Sequence, residues 1–130
     1  NVIAEAGSSI KKVFFPLRHK SYLDEAEARK YWLTHHGPIV RAHGHEAGIL
    51  CYRQVHRANS VIDASLQKAR GTKANSYLGH AEAWIDRNRV RSPELAEQAN
   101  QKFIEDEMNF IDMNRSTLFF GTEYTVVDNR

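Results

Sequence analysis

Seven histidines stand in a chain of 130 residues, and histidine is the side chain whose charge changes nearest neutral pH. That supply suits proton transfer without a cofactor, in which an imidazole takes a proton from one atom and returns it to another. His36 and His56 are the best placed for such work. His36 precedes Gly37 and Pro38, which read as a helix stop, so it sits at a helix C-terminus, where the macrodipole favours imidazolium. A plain capping role on backbone carbonyls fits the same position. His56 closes an alternating segment in which Tyr52, Gln54 and His56 share one parity. In a second alternating segment His80, Glu82 and Trp84 do the same. If the two rows share a face, they form a patch of acid–base groups with an aromatic wall, as a small-molecule site requires. The alternative is a solvated or dimer-facing row with Glu82 paired to Arg53 or Arg57.

Other chemistries find less support. His43, His45 and Glu46, with His35 and His36 nearby, match no structural zinc spacing, and no cysteine pair accompanies them. The segment reads as a polar loop, and no metal and no other cofactor is expected. Cys51 would need an adjacent base to act as a nucleophile; its expected role is to fill space. Neither a Gly-rich phosphate loop nor a serine nucleophile elbow is present. The net charge is +2, from 18 basic and 16 acidic residues, and the two signs are interspersed, so nucleic acid is not an expected partner. No apolar run approaches the ~20 residues of a membrane span. Residues 1–9 lack the pattern of a secretory signal, and a lone cysteine fits a reducing compartment, so a cytoplasmic location is expected. The opening on Asn1 rather than Met points to a processed or trimmed N-terminus.

The elements that must position these residues follow from periodicity. Residues 11–17 form the first strand, apolar on both parities through Val13, Phe14 and Phe15, with Pro16 marking an edge or an end. Asp24 and Glu27 open a helix whose face carries Ala28, Tyr31, Trp32 and His35, and Gly37-Pro38 should close it. A short helical piece can follow over residues 39–43. Residues 50–56 make the second strand. Residues 57–76 are too long for a hairpin and read as an inserted flap holding a short helix, capped by Ser60 or Asp63 and ended by Gly71. It is either a lid or a decorated loop. Residues 77–86 make the third strand. Ser92 and Pro93 start a long helix with Leu95, Ala96, Ala99 and Phe103 on its buried stripe, and later Phe110 and Ile111. Residues 117–127 make a last strand, apolar on both parities.

The order is β-α-β-β-α-β, the split pattern of ferredoxin-like folds: an α+β protein with a four-stranded antiparallel sheet. Both helices cover one face of such a sheet, and the other face should then be polar. The first and last strands are apolar on both faces, so something must cover the second one. The same sheet of a second copy is the simplest cover, which implies a homodimer with two sheets face to face.

The run Tyr31-Trp32-Leu33-Thr34-His35-His36-Gly37-Pro38 resembles the helix-ending signature of EthD-like proteins. Tyr52, Gln54 and His56 resemble their second strand, and the run from Tyr77 to Trp84 a third strand of the form Gly-x-Ala-Glu-x-Trp. Glu105, Asp106 and Glu107, then Phe110, Ile111 and Asp112, and finally Phe120, Gly121, Thr122 and Glu123 resemble the last helix and strand. The long connection 57–76 and His80 depart from the pattern. The resemblance spans residues 13–127 and implies the dimeric α/β-barrel fold, with residues 1–10 as an N-terminal extension and 11–128 as the domain. The wider superfamily holds cofactor-free isomerases, decarboxylases, cyclases and monooxygenases besides haem enzymes.

The preferred reading is a cofactor-independent lyase or isomerase acting on a hydrophobic aromatic or polyketide-like carbonyl compound. Decarboxylation, dehydration and double-bond migration all need an acid/base pair beside an apolar pocket. His36 and His56 would move protons, Glu82 would orient or assist with His80 beside it, and Tyr31, Trp32, Tyr52, Trp84 and Phe103 would hold the substrate. Both imidazoles are expected in one cleft. The alternatives are a cofactor-free monooxygenase or haem-binding relative, and a non-catalytic ligand-binding protein.

Overall fold

The computed structural model describes residues 9–58 and 61–130. The N-terminal extension lies largely outside them, and so does the expected cap Ser60. Four strands, β1 (Ile10–Leu17), β2 (Ile49–His56), β3 (Gly79–Asp86) and β4 (Phe119–Gly121), make one antiparallel sheet in the order β2-β3-β1-β4. That is the ferredoxin-like order, α+β as expected. Four helices accompany it: α1 (Glu25–Tyr31), α2 (Gly37–His43), α3 (Val61–Arg70) and α4 (Pro93–Glu107). None is long and apolar enough to cross a membrane.

The register decides which residues share a face. Val13 opposes Ala83 and Phe15 opposes Ala81; Tyr52 also opposes Ala83, and Gln54 opposes Ala81. Residues opposite one another in a sheet point the same way. The helix-covered face therefore carries Val13, Phe15 and Leu17 with Ala81 and Ala83, and beside them Tyr52, Gln54 and His56. The open face carries Lys12, Phe14, Arg53, Val55, His80, Glu82 and Trp84. The two rows expected on one face are thus on opposite faces. Parity within a strand is legible in sequence, but relative parity between strands depends on register, and β2 carries a bulge between Ile49 and Cys51.

The first helical region also departs from expectation. Asp24 caps α1, its carboxylate accepting from the Glu27 N–H at 2.8 Å. Gly37 does not end the helix: its φ is −52°, right-handed. The chain instead widens into a π-turn over Trp32–His36, closed by the Gly37 N–H on the Trp32 carbonyl, and continues as α2 with Pro38 in its first turn. A proline in an α-helix interior loses a hydrogen bond and meets the preceding turn; the wider turn makes room. The end comes at Gly48, φ 78°, where a Cβ would lie 2.6 Å from the Asp86 carbonyl oxygen. Ala28, Trp32, His36 and Val40 are all buried. Every-fourth residues drift roughly 40° per step around a 3.6-residue helix, so an unbroken α-helix would turn part of this column away from the sheet. The π-turn takes up the drift.

Helix α4 starts as expected, with Ser92 Oγ accepting from the Leu95 N–H at 3.2 Å and Pro93 in its first turn. Its buried residues are Ala99, Phe103 and Asp106, one face at helical spacing. Two apolar clusters fill the space beneath the helices: Phe15, Leu17, Ala28, Trp32, Leu78, Phe110 and Ile111, and Val40, Ala47, Ala99 and Phe103.

β4 is shorter than the expected 117–127. Past Gly121 the chain leaves the ladder, held by Lys11 on Thr122 and Lys12 on Glu123, while Tyr124, Val126 and Val127 stay exposed. Apolar residues on both parities signalled a long strand, but here they do not pair. The flap contains α3, which has no buried residue and ends at Gly71 as expected. Arg57 ties it to Asp63 at 3.4 Å. It bounds a cavity of about 520 Å³ with Phe14, Pro16 and His80, so it leans over the open face and not over the helix-covered one.

Candidate active site

Between α4, the π-turn and the sheet lies an apolar cavity of about 240 Å³. The sheet contributes small or aliphatic floor residues such as Val13, Ala81 and Ala83, and the wall includes Trp32 and Phe103. Half-exposed Ile104, Leu118 and Phe120 rim the opening. Among its lining residues only His36, Glu107, Tyr52 and Asn100 carry polar groups able to meet a ligand, Trp32 apart.

His36 is 3% exposed. Its Nδ1 lies 2.8 Å from Asp106 Oδ2. Burial would raise the Asp106 carboxyl, but hydrogen bonds from Tyr31 (2.5 Å to Oδ1) and from His36 hold it below the ordinary value. An ionised carboxylate only accepts, so Nδ1 carries the imidazole hydrogen. Burial pushes His36 below its ordinary pKa, with Asp106 opposing. The ring is therefore neutral at pH 7, and its Nε2 presents a lone pair. Nε2 lies 3.6 Å from Glu107 Oε2, too long for a good hydrogen bond, so the two groups stand side by side and can reach one ligand placed next to them. Burial, and then the charge on Asp106, raise the Glu107 carboxyl from 4.5 to about 7. Two adjacent carboxyls are thus driven apart, one fixed as an anion and one holding its proton near neutrality. The pair leaves Glu107 with a proton to give, and leaves His36, tied to the Asp106 anion, with a free lone pair. His35 shares the anion, its Nδ1 3.0 Å from Asp106 Oδ1, and stacks on Tyr31 at 4.5 Å.

A second polar chain adjoins this one. Gln54 Nε2 donates to the Trp32 carbonyl at 2.9 Å and approaches the Tyr52 hydroxyl at 3.3 Å. The Trp32 indole N–H donates to the same hydroxyl at 3.3 Å. His56 Nε2 lies 2.8 Å from Gln54 Oε1, and its ring stacks flat on Trp32 at 4.3 Å. Burial, then the nearby Arg29 charge, lower its pKa.

Of the residues singled out in the sequence, the cavity gathers His36, Trp32, Tyr52 and Phe103. His56 stays behind Trp32, outside it. Tyr31 supports Asp106 from the side. His80, Glu82 and Trp84 are on the open face because β3 turns its other parity inward. There Lys12 bridges Glu82 (2.5 Å) and Glu123 and lies 4.5 Å over the Trp84 ring, while His80 packs on Phe14 at 4.5 Å. Glu82 pairs with Lys12, not with Arg53 or Arg57. Asp106 and Glu107 were not singled out for chemistry, although a signal existed. The last turn of α4 holds acidic residues and no basic one, against the macrodipole, so those charges need another reason to be there.

The EthD domain model matches residues 20–114. The chain belongs to the EthD family. Among solved structures, an EthD family protein from Bacillus halodurans C-125 is similar at TM-score 0.56 and 16% identity, covering 88% of this chain and 99% of that one. An EthD-like protein from Ralstonia eutropha JMP134 gives 0.52 and 15%, covering 93% and 97%. A hypothetical protein from Arabidopsis thaliana, solved in solution, gives 0.55 and 11%, covering 97% and 96%. At these identities the likeness is one of fold. No curated protein matches the chain. The EthD family is a dimeric α/β-barrel family, and in this EthD chain the helix-covered cavity is where His36 and the Glu107 carboxyl come together.

Proposed function

We propose that this EthD protein is a cofactor-independent lyase or isomerase that moves a proton on a hydrophobic, aromatic or polyketide-like carbonyl compound held in the helix–sheet cavity. One observation carries the reading: His36 Nε2 and the Glu107 carboxyl face each other across 3.6 Å at the wall of an apolar cavity. Asp106 fixes the first as a base, and burial keeps the second near its protonated form. In a double-bond migration His36 Nε2 takes the proton on the carbon α to the carbonyl. The C–H electron pair becomes the new double bond, and the carbonyl π pair moves to oxygen. The oxygen pair then re-forms the carbonyl, the enolate double bond moves to the α,β position, and the β,γ π pair of the starting enone takes the Glu107 proton at the γ carbon; the imidazolium proton crosses to the Glu107 carboxylate, restoring both groups. Dehydration uses the same pair with hydroxide as the leaving group, protonated by Glu107 to water.

Hydrogen exchange at the α-carbon of 2-tetralone in D2O, followed by proton NMR, tests this. The protein is expected to exchange these hydrogens well above the buffer rate, and His36→Ala to lose about 10²–10⁴ of the acceleration. Exchange no faster than in buffer, or unchanged in the variant, would sink the reading. We further assign the open sheet face to a second copy of the chain. It carries Phe14 and Trp84 beside the half-exposed Phe119, and the family is dimeric.

A further inference from the structure

The hydrogen bonds around Tyr52 have only one consistent set of directions. The Trp32 carbonyl is an acceptor, so the Gln54 group beside it at 2.9 Å is the amide NH2. The Gln54 oxygen therefore faces His56, whose Nε2 carries the hydrogen. The remaining Gln54 N–H points at the Tyr52 oxygen, and so does the indole N–H of Trp32, each at 3.3 Å. Both are donors only. The Tyr52 oxygen thus accepts twice, and its own hydrogen must point elsewhere; among the described residues no acceptor takes it. Tyr52 lines the cavity that His36 and Glu107 enter.

Burial raises the Tyr52 pKa, and the bonds from Gln54 and Trp32 draw it back, so the group stays a protonated donor. The cavity has no cationic donor: no lysine or arginine is among its lining residues. A ligand carboxylate would enter a mostly apolar site already next to Asp106 and Glu107, with no cation to meet it, at a large desolvation cost.

We propose that the Tyr52 hydroxyl is the donor for the carbonyl oxygen of the substrate, and that the substrate class is an uncharged enolisable ketone or enone in place of a carboxylate. The assignment deepens the acid/base reading above and rests on it. As the α-proton leaves for His36, charge grows on the oxygen, and a donor held in place beforehand stabilises it without reorganisation.

Binding of 2-naphthol, which mimics the enol of 2-tetralone, is to be compared with binding of 2-naphthoate and naphthalene by calorimetry at pH 8. The protein is expected to bind 2-naphthol at least tenfold more tightly than 2-naphthoate. Tyr52→Phe is expected to weaken 2-naphthol about tenfold, to leave naphthalene unchanged, and to slow 2-tetralone exchange by about 10²–10³. Equal or tighter binding of 2-naphthoate overturns the substrate class. Binding of 2-naphthol and exchange both unchanged in Tyr52→Phe overturn the role of Tyr52. Tyr52-dependent binding of 2-naphthol without any exchange by the parent protein overturns the acid/base reading and leaves the donor assignment standing. A thermal melt separates these outcomes from misfolding, and Tyr52→Phe keeps the ring that packs there.

Discussion

The two faces of the sheet handle polar groups in opposite ways. On the open face charge meets charge: Lys12 sits between Glu82 and Glu123 over Trp84, and Arg53 lies 5.1 Å from the same ring. Lys12 there is answered by two carboxylates, and ion pairs near the surface add little net stability. On the helix-covered face one anion, Asp106, is answered by hydrogen bonds, while His36 is kept neutral and Glu107 close to it. Groups that cancel one another have no proton to give. Groups held neutral beside an apolar space have both a lone pair and a proton free to move. Titratable side chains stand on both faces, and it is their environment that makes the proposed roles of the two faces differ.

The sharpest way to break this contrast is Asp106→Asn. An amide can donate to His36 Nδ1 and so hold the imidazole in the wrong tautomer, with Nε2 protonated. The same exchange in a serine-protease triad drops turnover about 10⁴-fold, and 2-tetralone exchange is expected to fall by a comparable factor. A variant within a factor of about ten of the parent would show that the Asp106–His36 bond does not set the base.

On the open face the expected loss is of assembly. Phe119→Glu places a carboxylate where a second sheet would pack, and should weaken association by about 10²-fold, a few kcal/mol, as read by sedimentation at micromolar concentrations. Exchange activity per chain should survive. A parent protein that is already a well-folded monomer would remove the assembly half of the comparison.

Glu107→Gln is expected to act through pH. The folded-state pKa, about 7, stands above the ordinary 4.5. The stability that follows from keeping the proton is full below about pH 4.5 and is lost as pH rises through about 7. The parent should therefore lose melting temperature between pH 5 and 8, and the variant should lose less, gaining about 5 °C on the parent at pH 8 relative to pH 5. Parallel melting curves would show that Glu107 is not held protonated by the fold. The smallest effect belongs to His80→Ala, which should change exchange by less than about twofold, since the ring faces away from the cavity. A loss of tenfold or more would mean that the open face contributes to chemistry.

The sequence made the first three strands, α4 and its serine cap, and the ferredoxin-like order legible, because periodicity and capping are local; the last strand is cut short because its apolar residues past Gly121 find no strand among the described residues to pair with. The pairing of Tyr52 with Ala83, which sent His80, Glu82 and Trp84 to the other side, was not legible, because register is a relation between distant segments and a bulge in β2 shifts it. His36, Trp32, Tyr52 and Phe103 were found from residue type and parity. Asp106 and Glu107 were passed over because a glutamate-rich helix end reads as a solvated face, until the helix is seen to press that end against a histidine. The Gly37-Pro38 pair misled for a related reason: a breaker ends a helix only if the chain cannot widen around it.

That widening ties the site to the number of residues in the chain as well as to their kinds. A π-turn is a helix carrying one surplus residue. Deleting Leu33 or Thr34, both on the outward side with Leu33 60% exposed, removes no group that touches the cavity. Yet it would let α1 and α2 fuse into one regular helix, in which each residue is rotated by about 100° from the last. His36 and Asp106 could then no longer face each other while Trp32 kept its place in the core. Relatives of this chain should accordingly tolerate many exchanges at those two positions, and very few changes of length between Trp32 and His36.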